Sequence, residues 1–278
     1  MGALIHDIVE KGFDASKTET YELSILVGMG SFDYMVHDAQ QQLLLWRSRE
    51  LAAQNPATFA SVVAEDRVLR QPFRNLRVGW SSTKQTLVPN RLFNPAEQAV
   101  YLEQSVDIDS GEQTRAEEIP AMGMHHIYAV EAAQLKALQS RFPGSRHFHL
   151  CTALLHEQQR LMANMDRPCV FVHVRGQHLW VSAFDKSVLR FFNSFSYKST
   201  KDFVYFVLLG FEEAGLKPSG AHTLLSGAMV ENSEIFQQLS RYLPDMAFVP
   251  RSAYYQYGEL FKQQPAHFYF DLLSLSNL

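Results

Sequence analysis

The feature that most constrains this fold is an order of secondary-structure patterns that occurs twice. Each half of the chain opens with three extended runs and then alternates helical and extended segments. Short runs rich in valine, isoleucine and aromatic residues, bounded by turn residues, are typical of strands. The pattern therefore predicts two α/β units that each open with a three-stranded meander. The extended runs are YELSILVGM, FDYMVHD and QQLLLWRSREL, then CVFVHVR, HLWVSAFD and VLRFFNSFS.

Helices and further strands follow each meander. Asn55 and Thr58 precede a helical pattern, Asn94-Pro95 opens a second helix, and Ser199 or Thr200 can cap a third. The polar stretch DIDSGEQTRAEEIPAMG has the composition of a surface loop. The predicted helices are FASVVAEDRVL, EAAQLKALQSRF, LLHEQQRLMANM, KDFVYFVLLGFEEAGL and NSEIFQQLSRYL, and the further strands are NLRVGWSS, QTLVPNRLF, HHIYAV, RHFHLCT, HTLLSG and MAFVP.

Two successive units of meander, helix, strand, helix and strand predict the actin-like ATPase superfold. This is an α/β class with mixed sheets, in which two ribonuclease-H-like lobes face a central cleft. The expected organisation is an N-terminal arm over 1–20, a first lobe over 21–167 and a second over 168–278, with the boundary near Asp166 to Pro168.

Composition excludes several classes of function. The 29 acidic and 25 basic residues are interspersed, so no basic tract offers a grip on nucleic acid. No apolar run reaches the roughly 20 residues of a membrane span, and the first twenty residues lack the pattern of a signal peptide. Cys151 and Cys169 each lie in an apolar run, which favours buried thiols and a cytoplasmic location.

An ordered set of segments resembles domain of unknown function 3822, a family of uncharacterised bacterial proteins. The set comprises YELSILVGMGSFDYMVHD, QTLVPNRLF, IYAV, VFVHVR, FFNSFSYKSTKDFVYFVL and LLSGAMVENSEIFQQLSRY, and the block FNSFSYKSTKDFVYF is its most specific part. The resemblance covers about Tyr21 to Leu278 and implies an actin-like ATPase fold. It implies no activity, so function has to be argued from individual residues.

The first hairpin lacks the acid that hydrolysis in this superfold requires. Members of the superfold that hydrolyse ATP carry Asp-x-Gly-Thr or Asp-x-Gly-Ser at this hairpin. The acid organises Mg²⁺, and the hydroxyl and the backbone amides hold phosphate. Gly28 occupies the place of the acid, whereas Gly30 and Ser31 keep the rest of the pattern. Asp33 is one substitute, although its position on the next strand favours a different direction for its carboxylate. The alternative is that the glycines only permit a tight turn.

The second hairpin should carry another acid, and Val174 stands in its place. His173 could act as a base and Arg175 could bind a phosphate beside Gly176, but His173 also fits an ordinary strand residue. Loss of both acids favours a protein that does not hydrolyse ATP. No catalytic residue is assigned beyond the substitutes Asp33 and His173.

The segment LLSGAMVENSEIFQQL fits the element that contacts adenosine in this superfold, with Ser226, Gly227 and Ala228 as contacts. The nucleotide-binding set is therefore small, and ATP is the one cofactor it suggests. A strand, a glycine turn and a helix would look the same with nothing bound. The full set is Gly28, Gly30, Ser31, Arg175, Gly176, Ser226, Gly227 and Ala228.

The remaining motifs predict structure more strongly than chemistry. His125-His126 and the pair His147 and His149 suggest metal ligands, but no carboxylate or cysteine pattern completes a site, so no metal is predicted. The apolar C-terminal segment QQPAHFYFDLLSLSNL is expected to dock on its own domain or in the groove of a partner.

The sequence therefore predicts a catalytically degenerate protein of the actin-like ATPase fold. Its expected role is that of a scaffold or assembly factor for a protein partner, with nucleotide bound without turnover. The alternatives are an active Mg-ATP-dependent ATPase or phosphotransferase, and a small-ligand sensor that uses the interdomain cleft.

Overall fold

A computed structural model describes residues 4–51 and 56–278. The chain forms two compact units, and both are discontinuous in sequence. The predicted lobes 21–167 and 168–278 stay a prediction, and the units differ from them because two C-terminal segments belong to unit one. Unit one comprises Met1–Ala153, Ser252–Gln264 and Leu275–Leu278, and unit two comprises Leu154–Arg251 and Pro265–Ser274.

The large sheet of unit one contains the first predicted meander. Its strands stand in the order β1-β4-β3-β2-β5-β9, in which β2, β5 and β9 are parallel and the other neighbours are antiparallel. Their bounds are β1 Leu4–Val9, β2 Glu22–Gly28, β3 Ser31–His37, β4 Leu43–Glu50, β5 Asn75–Ser81 and β9 Arg146–His149.

The N-terminal arm differs from its expected form. A helical turn does occur over Ala15–Thr20, where the Asp14 side chain accepts a hydrogen bond from the backbone N–H of Ser16. Before it, however, β1 pairs antiparallel with β4, and His6 stacks on Trp46 with ring centroids 4.2 Å apart. Pairing with β4 thus forms a strand within the segment that the sequence suggested only as an arm.

A second, three-stranded sheet of unit one has the order β6-β8-β7, where β6 is Gln85–Pro89, β7 is Glu112–Ile119 and β8 is Met124–Glu131. Strand β7 lies within the stretch predicted as a loop, so that prediction is wrong for 112–119. Its charged composition suggested a loop, but full antiparallel pairing with β8 supplies the hydrogen bonds of a strand. Helix α2, Gln98–Glu103, packs on this sheet, and Asn94 caps the preceding turn as predicted.

Helices α1 Pro56–Glu65 and α3 Ala132–Arg141 pack together in unit one. The core there joins alternating residues of the large sheet, such as Ile25, Tyr34 and Val78, to these helices. The predicted cap Asn55 lies outside the described residues. Helix α4, Leu150–Met162, begins directly after β9, so the predicted strand RHFHLCT ends at His149 rather than at Thr152.

Unit two contains the second meander in a five-stranded sheet of order β12-β11-β10-β13-β14. The order repeats that of β4-β3-β2-β5-β9, as the two successive patterns predict. Ser199 caps helix α5 through a capping box with Asp202. The bounds are β10 Cys169–Arg175, β11 His178–Asp185, β12 Val188–Ser196, α5 Thr200–Glu213, β13 His222–Gly227, α6 Glu234–Leu239 and β14 Met246–Phe248.

The C-terminal segment packs on its own chain, with Pro265–Ser274 in unit two and Leu275–Leu278 in unit one, so the expected docking on its own domain holds for only part of it. Helix α7 spans Glu259–Lys262 and α8 spans Phe270–Ser276. In unit two, Arg251 donates a hydrogen bond to the Tyr269 hydroxyl at 2.8 Å; in unit one, the hydroxyls of Ser24 and Ser276 are 2.8 Å apart. Within the described residues, every helix is too short or too polar to cross a membrane.

Candidate functional site

The first hairpin turns through Met29 and Gly30, between β2 and β3. Gly28 and Ser31 face each other as the last pair of the ladder, and φ is +53° at Met29 and +77° at Gly30. Positive φ at both central positions is the type I′ geometry that suits the twist of a hairpin. The structure thus places Gly30 and Ser31 at the turn, while nucleotide binding by them stays a prediction.

Gly28 ends β2 in a conformation that only glycine adopts readily, with φ at +125°. It pairs with Ser81 at the end of the parallel strand β5. A Cβ added at position 28 would overlap the carbonyl oxygen of Ser81. The place of the expected acid is therefore filled by the backbone of the neighbouring strand.

Asp33 lies on β3 and is 6% exposed. The Ser31 hydroxyl donates a hydrogen bond to its carboxylate at 2.8 Å. The structure thus brings together the one acid considered as a substitute and the one hydroxyl expected to meet phosphate. Asp33 faces Ser48 across the ladder, and its negative charge partly offsets the lowering that burial imposes on the pKa of His6.

A cavity of about 300 Å³ lies in unit one beside this turn. Lys84 lines it and donates hydrogen bonds to Asp109 and Glu112, both at 2.7 Å. These two bonds raise the pKa of Lys84, so the ammonium is already neutralised by carboxylates rather than offered to phosphate. The cavity can hold a small polar molecule. Its lining also includes Val27, Gly28, Met29, Trp80, Ser81, Ser82, Thr83, Ala129, Val130, Glu131 and Gln134.

The second hairpin, in unit two, turns through Gly176 and Gln177, between β10 and β11. Arg175 pairs with His178 at its end, and φ is +58° at Gly176. Glycine at the first central position is typical of a two-residue hairpin. Gly176 is solvent-exposed, as a contact to a ligand requires.

Val174, at the place of the second acid, points into the hydrophobic core of unit two. Its carbonyl oxygen accepts a hydrogen bond from the backbone N–H of Ala228 at 3.0 Å. Gly227 has φ of +88°, and a Cβ there would overlap that same oxygen. The glycine of the predicted adenosine element is thus required by a close approach of β13 to β10.

A buried polar cluster lies on β10, β13 and α8 of unit two. The Nδ1 atom of His173 is 3.0 Å from the Ser226 hydroxyl, and its Nε2 atom is 3.7 Å from the Asp271 carboxylate. Arg175 donates a hydrogen bond to Asp271 at 3.1 Å. Two predicted site residues, His173 and Arg175, therefore contact an acid that sequence analysis did not single out, and Ser226 joins the cluster through His173.

The neighbours of Asp271 determine whether its carboxyl group is charged. Burial by itself would raise the pKa of Asp271, but His173 and the Arg175 guanidinium stabilise the carboxylate more strongly, so the pKa lies below its ordinary value. Asp271 is thus an anion at neutral pH and is matched by Arg175. A serine, a histidine and an acid in contact are able to relay a proton. Here His173 and Ser226 are almost completely buried, so a substrate in solvent does not reach them.

The predicted site residues form two groups. Gly28, Gly30 and Ser31 lie with Asp33 in unit one; His173, Arg175, Gly176, Ser226, Gly227 and Ala228 lie in unit two. Sequence analysis missed Asp271 and Lys84. The first stood in a segment that looked purely apolar, and the second follows a strand in an SST run that was not weighed as a phosphate contact.

The structure groups the histidines that were considered as metal ligands differently from the sequence. His125 stacks on Phe93 with ring centroids 3.7 Å apart, and the indole N–H of Trp80 donates to Nδ1 of His147 at 3.2 Å. His126 and His149 instead lie beside each other, with ring centroids 4.7 Å apart.

A family model described as "Protein of unknown function (DUF3822)" matches residues 10–246. The chain belongs to this family. None of the curated proteins matches it.

Two solved structures resemble the chain along nearly its whole length. One is a Bacteroides thetaiotaomicron VPI-5482 protein "with actin-like ATPase fold and unknown function", 16% identical, with a TM-score of 0.81 over 96% of this chain and 99% of that one. The other is a "PilM-PilN type IV pilus biogenesis complex", 13% identical, with a TM-score of 0.61 over 92% of this chain and 97% of that one. The fold is therefore that of the actin-like ATPases, as the repeated pattern predicted.

Proposed function

We propose that this member of the family does not hydrolyse nucleotide and acts as a scaffold or assembly factor for a protein partner in the cytoplasm. The observation that carries the proposal is the contact between Gly28 and the Ser81 carbonyl, because it leaves no room for an acid at the first hairpin. Without that acid, no group at this position organises Mg²⁺ and water.

The second hairpin supports the same conclusion. Val174 is 3% exposed and belongs to the hydrophobic core. An acid at position 174 would lose its hydration there without a partner, which would cost several kcal/mol. Both positions are therefore built for residues that cannot position an attacking water molecule.

The substitutes are engaged in other contacts. Asp33 accepts the Ser31 hydroxyl, and His173 lies between Ser226 and Asp271 in a buried cluster. Catalytic groups tolerate only small errors of position, so a carboxylate on the second strand is a poor replacement for one on the first. The chain keeps Gly30 and Ser31 of the superfold's phosphate pattern at this turn, which is consistent with nucleotide binding without turnover.

Binding a protein partner is the role that fits the observations on this chain best. The PilM–PilN structure is a complex of a protein with this fold, although at 13% identity it supports the fold alone. Interspersed charges disfavour nucleic acid as the partner, and the two cysteines are buried free thiols, as suits a reducing compartment.

The second candidate is an active Mg-ATP-dependent ATPase or phosphotransferase. The 2.8 Å contact between Ser31 and Asp33 favours it, because it keeps an acid beside the turn. In that case Asp33 would organise the metal ion and Asp33→Ala would abolish turnover.

Calorimetric titration with ATP and ADP, each with and without Mg²⁺, tests the nucleotide half of the proposal. A parallel thermal-shift series checks that any binding stabilises the native state. Saturable binding without phosphate release, or no binding up to millimolar nucleotide, agrees with the proposal. Mg²⁺-dependent phosphate release that Asp33→Ala eliminates would replace it with the ATPase.

A further inference from the structure

Three potential metal ligands meet in the interior of unit one. His126 lies on β8, His149 is the last residue of β9, and Cys151 lies in the first turn of α4. One ligand atom from each lies within 4.8 Å of the others, and each residue is 0% exposed. Two imidazoles and a thiol are the donor types that zinc prefers in proteins.

The surroundings of His126 favour one tautomer. The amide oxygen of Gln85 lies 2.7 Å from Nε2 and can only accept, so Nε2 carries the proton. Nδ1 then presents a lone pair, to which the Thr152 hydroxyl lies at 2.9 Å. A histidine that binds a metal through one ring nitrogen usually donates the N–H of its other ring nitrogen to an oxygen, and this hydrogen bond orients the ring.

The hydrogen bonds of His149 are mismatched. The backbone N–H of Cys151 points to its Nδ1 at 3.1 Å, and that of Ser82 points to its Nε2 at 3.2 Å. A neutral imidazole accepts at only one nitrogen, so one of these contacts is not a hydrogen bond, and both are at the long end of the range. The ring is therefore not satisfied by its protein contacts as an ordinary core histidine is.

An acid lies beside these three residues. The Glu117 carboxylate accepts hydrogen bonds from the backbone N–H of His149 at 3.0 Å and from the Tyr128 hydroxyl. The Glu117 carboxylate therefore lies directly beside His149, one of the three potential ligands.

We propose that His126, His149 and Cys151 bind Zn²⁺, with the Glu117 carboxylate beside His149. Zinc bonds of about 2.0 to 2.3 Å bring tetrahedral ligand atoms to within about 3.5 Å of one another, so the cluster contracts by about 1 Å on binding. The Cys151 thiol loses its proton to solvent as the sulfur–zinc bond forms, and no oxidation is involved. The Thr152 hydroxyl leaves Nδ1 of His126, and the Ser82 or Cys151 amide releases whichever His149 nitrogen binds the ion.

Such a site is structural rather than catalytic. The ligands are fully buried, and they connect a strand of the small sheet, the edge strand of the large sheet and the first turn of a helix. Bound zinc would fix these elements of unit one to one another. Its removal is therefore expected to lower thermal stability.

The chain offers a matched control, because its two cysteines are both buried free thiols. Cys169 lies at the start of β10, in unit two, where burial raises its pKa to about 12. Cys151→Ser removes a proposed ligand, whereas Cys169→Ser removes a thiol of similar burial outside the cluster. Any general effect of losing a buried thiol should appear in both variants.

The experiment uses the full chain, stripped with a chelator and titrated with Co²⁺ as a spectroscopic substitute for Zn²⁺. The expected result is one equivalent of metal, a thiolate-to-cobalt absorption band in the near ultraviolet, displacement of cobalt by zinc, and a rise in Tm with zinc. Cys169→Ser should keep the band and Cys151→Ser should lose it.

Two outcomes would overturn the proposal. One is wild-type protein that binds neither ion and shows no change in Tm, a result that does not depend on whether any variant folds. The other is a thiolate band that survives in Cys151→Ser. If Cys151→Ser does not fold, His126→Gln is used in its place, because it keeps the thiol and is expected to weaken Co²⁺ affinity by at least tenfold. Unchanged affinity in that variant would also contradict the proposed site.

Discussion

The backbone of Gly28 lies directly against the carbonyl oxygen of Ser81, at the ends of two parallel strands. This contact occupies the space in which an acid at the first hairpin would begin. The absence of the acid is therefore part of the packing of the sheet and not a single substitution on an otherwise unchanged hairpin. Restoring the acid would require β2 and β5 to move apart.

Replacement of Gly28 by alanine should destabilise the protein much more than replacement of Gly30. Both residues have positive φ, which costs alanine about 1 to 2 kcal/mol, but only position 28 adds overlap with a neighbouring strand, worth about 1 to 3 kcal/mol. Urea unfolding at neutral pH should give a loss in the free energy of unfolding of about 2 to 5 kcal/mol for Gly28→Ala and of about 1 to 2 kcal/mol for Gly30→Ala. Equal losses would contradict the contact.

The Asp271→Asn substitution should lower the free energy of unfolding at neutral pH by about 3 kcal/mol, because it leaves Arg175 beside a neutral amide in a buried cluster. The folded pKa of Asp271 lies below its unfolded value, so its contribution is complete above the unfolded pKa of about 4 and is lost as the pH falls through the folded value. The difference in the free energy of unfolding between wild type and variant should therefore decrease at acid pH.

Urea unfolding at several pH values between neutral and 3 measures this difference. Asp166→Asn is the control, because that residue is exposed. A gap between wild type and Asp271→Asn that stays constant over the whole range would show that the carboxylate is not stabilised by its neighbours.

Much of the fold could be predicted from local patterns. The meanders show strand composition in short runs between turns, and Ser199 precedes a helix with Asp202 three residues later, so each signal is contained within a few residues. Strands β1 and β7 were missed because their charged residues are poor local signals. Pairing with β4 and β8 decides their structure, and that pairing depends on distant parts of the chain.

The candidate site was predicted less completely for the same reason. Gly28, Gly30 and Gly176 could be found because turns impose a short sequence pattern. The contact of Asp271 with Arg175, and that of His126 with His149, join residues far apart in sequence. No local pattern indicates such a contact, which arises only when strands and helices pack.

The cap of helix α5 gives a prediction about stability alone. The Ser199 hydroxyl accepts the backbone N–H of Asp202 at 3.2 Å, and the Asp202 carboxylate accepts the backbone N–H of Ser199 at 3.0 Å. Ser199→Ala should cost about 1 kcal/mol, whereas Ser199→Asn should cost little because asparagine caps equally well. Thermal unfolding followed by circular dichroism compares the two, and a Tm for Ser199→Asn as low as that of Ser199→Ala would contradict the cap.

The central claim is that both hairpins lack a group able to drive hydrolysis, and steady-state phosphate release from Mg-ATP tests it most directly. An enzyme with a turnover number of about 1 s⁻¹ would release thousands of phosphates per chain in an hour. We expect phosphate release no faster than in protein-free buffer, both for wild type and for Asp33→Ala. Release that scales with the concentration of wild-type protein and disappears in Asp33→Ala would contradict it.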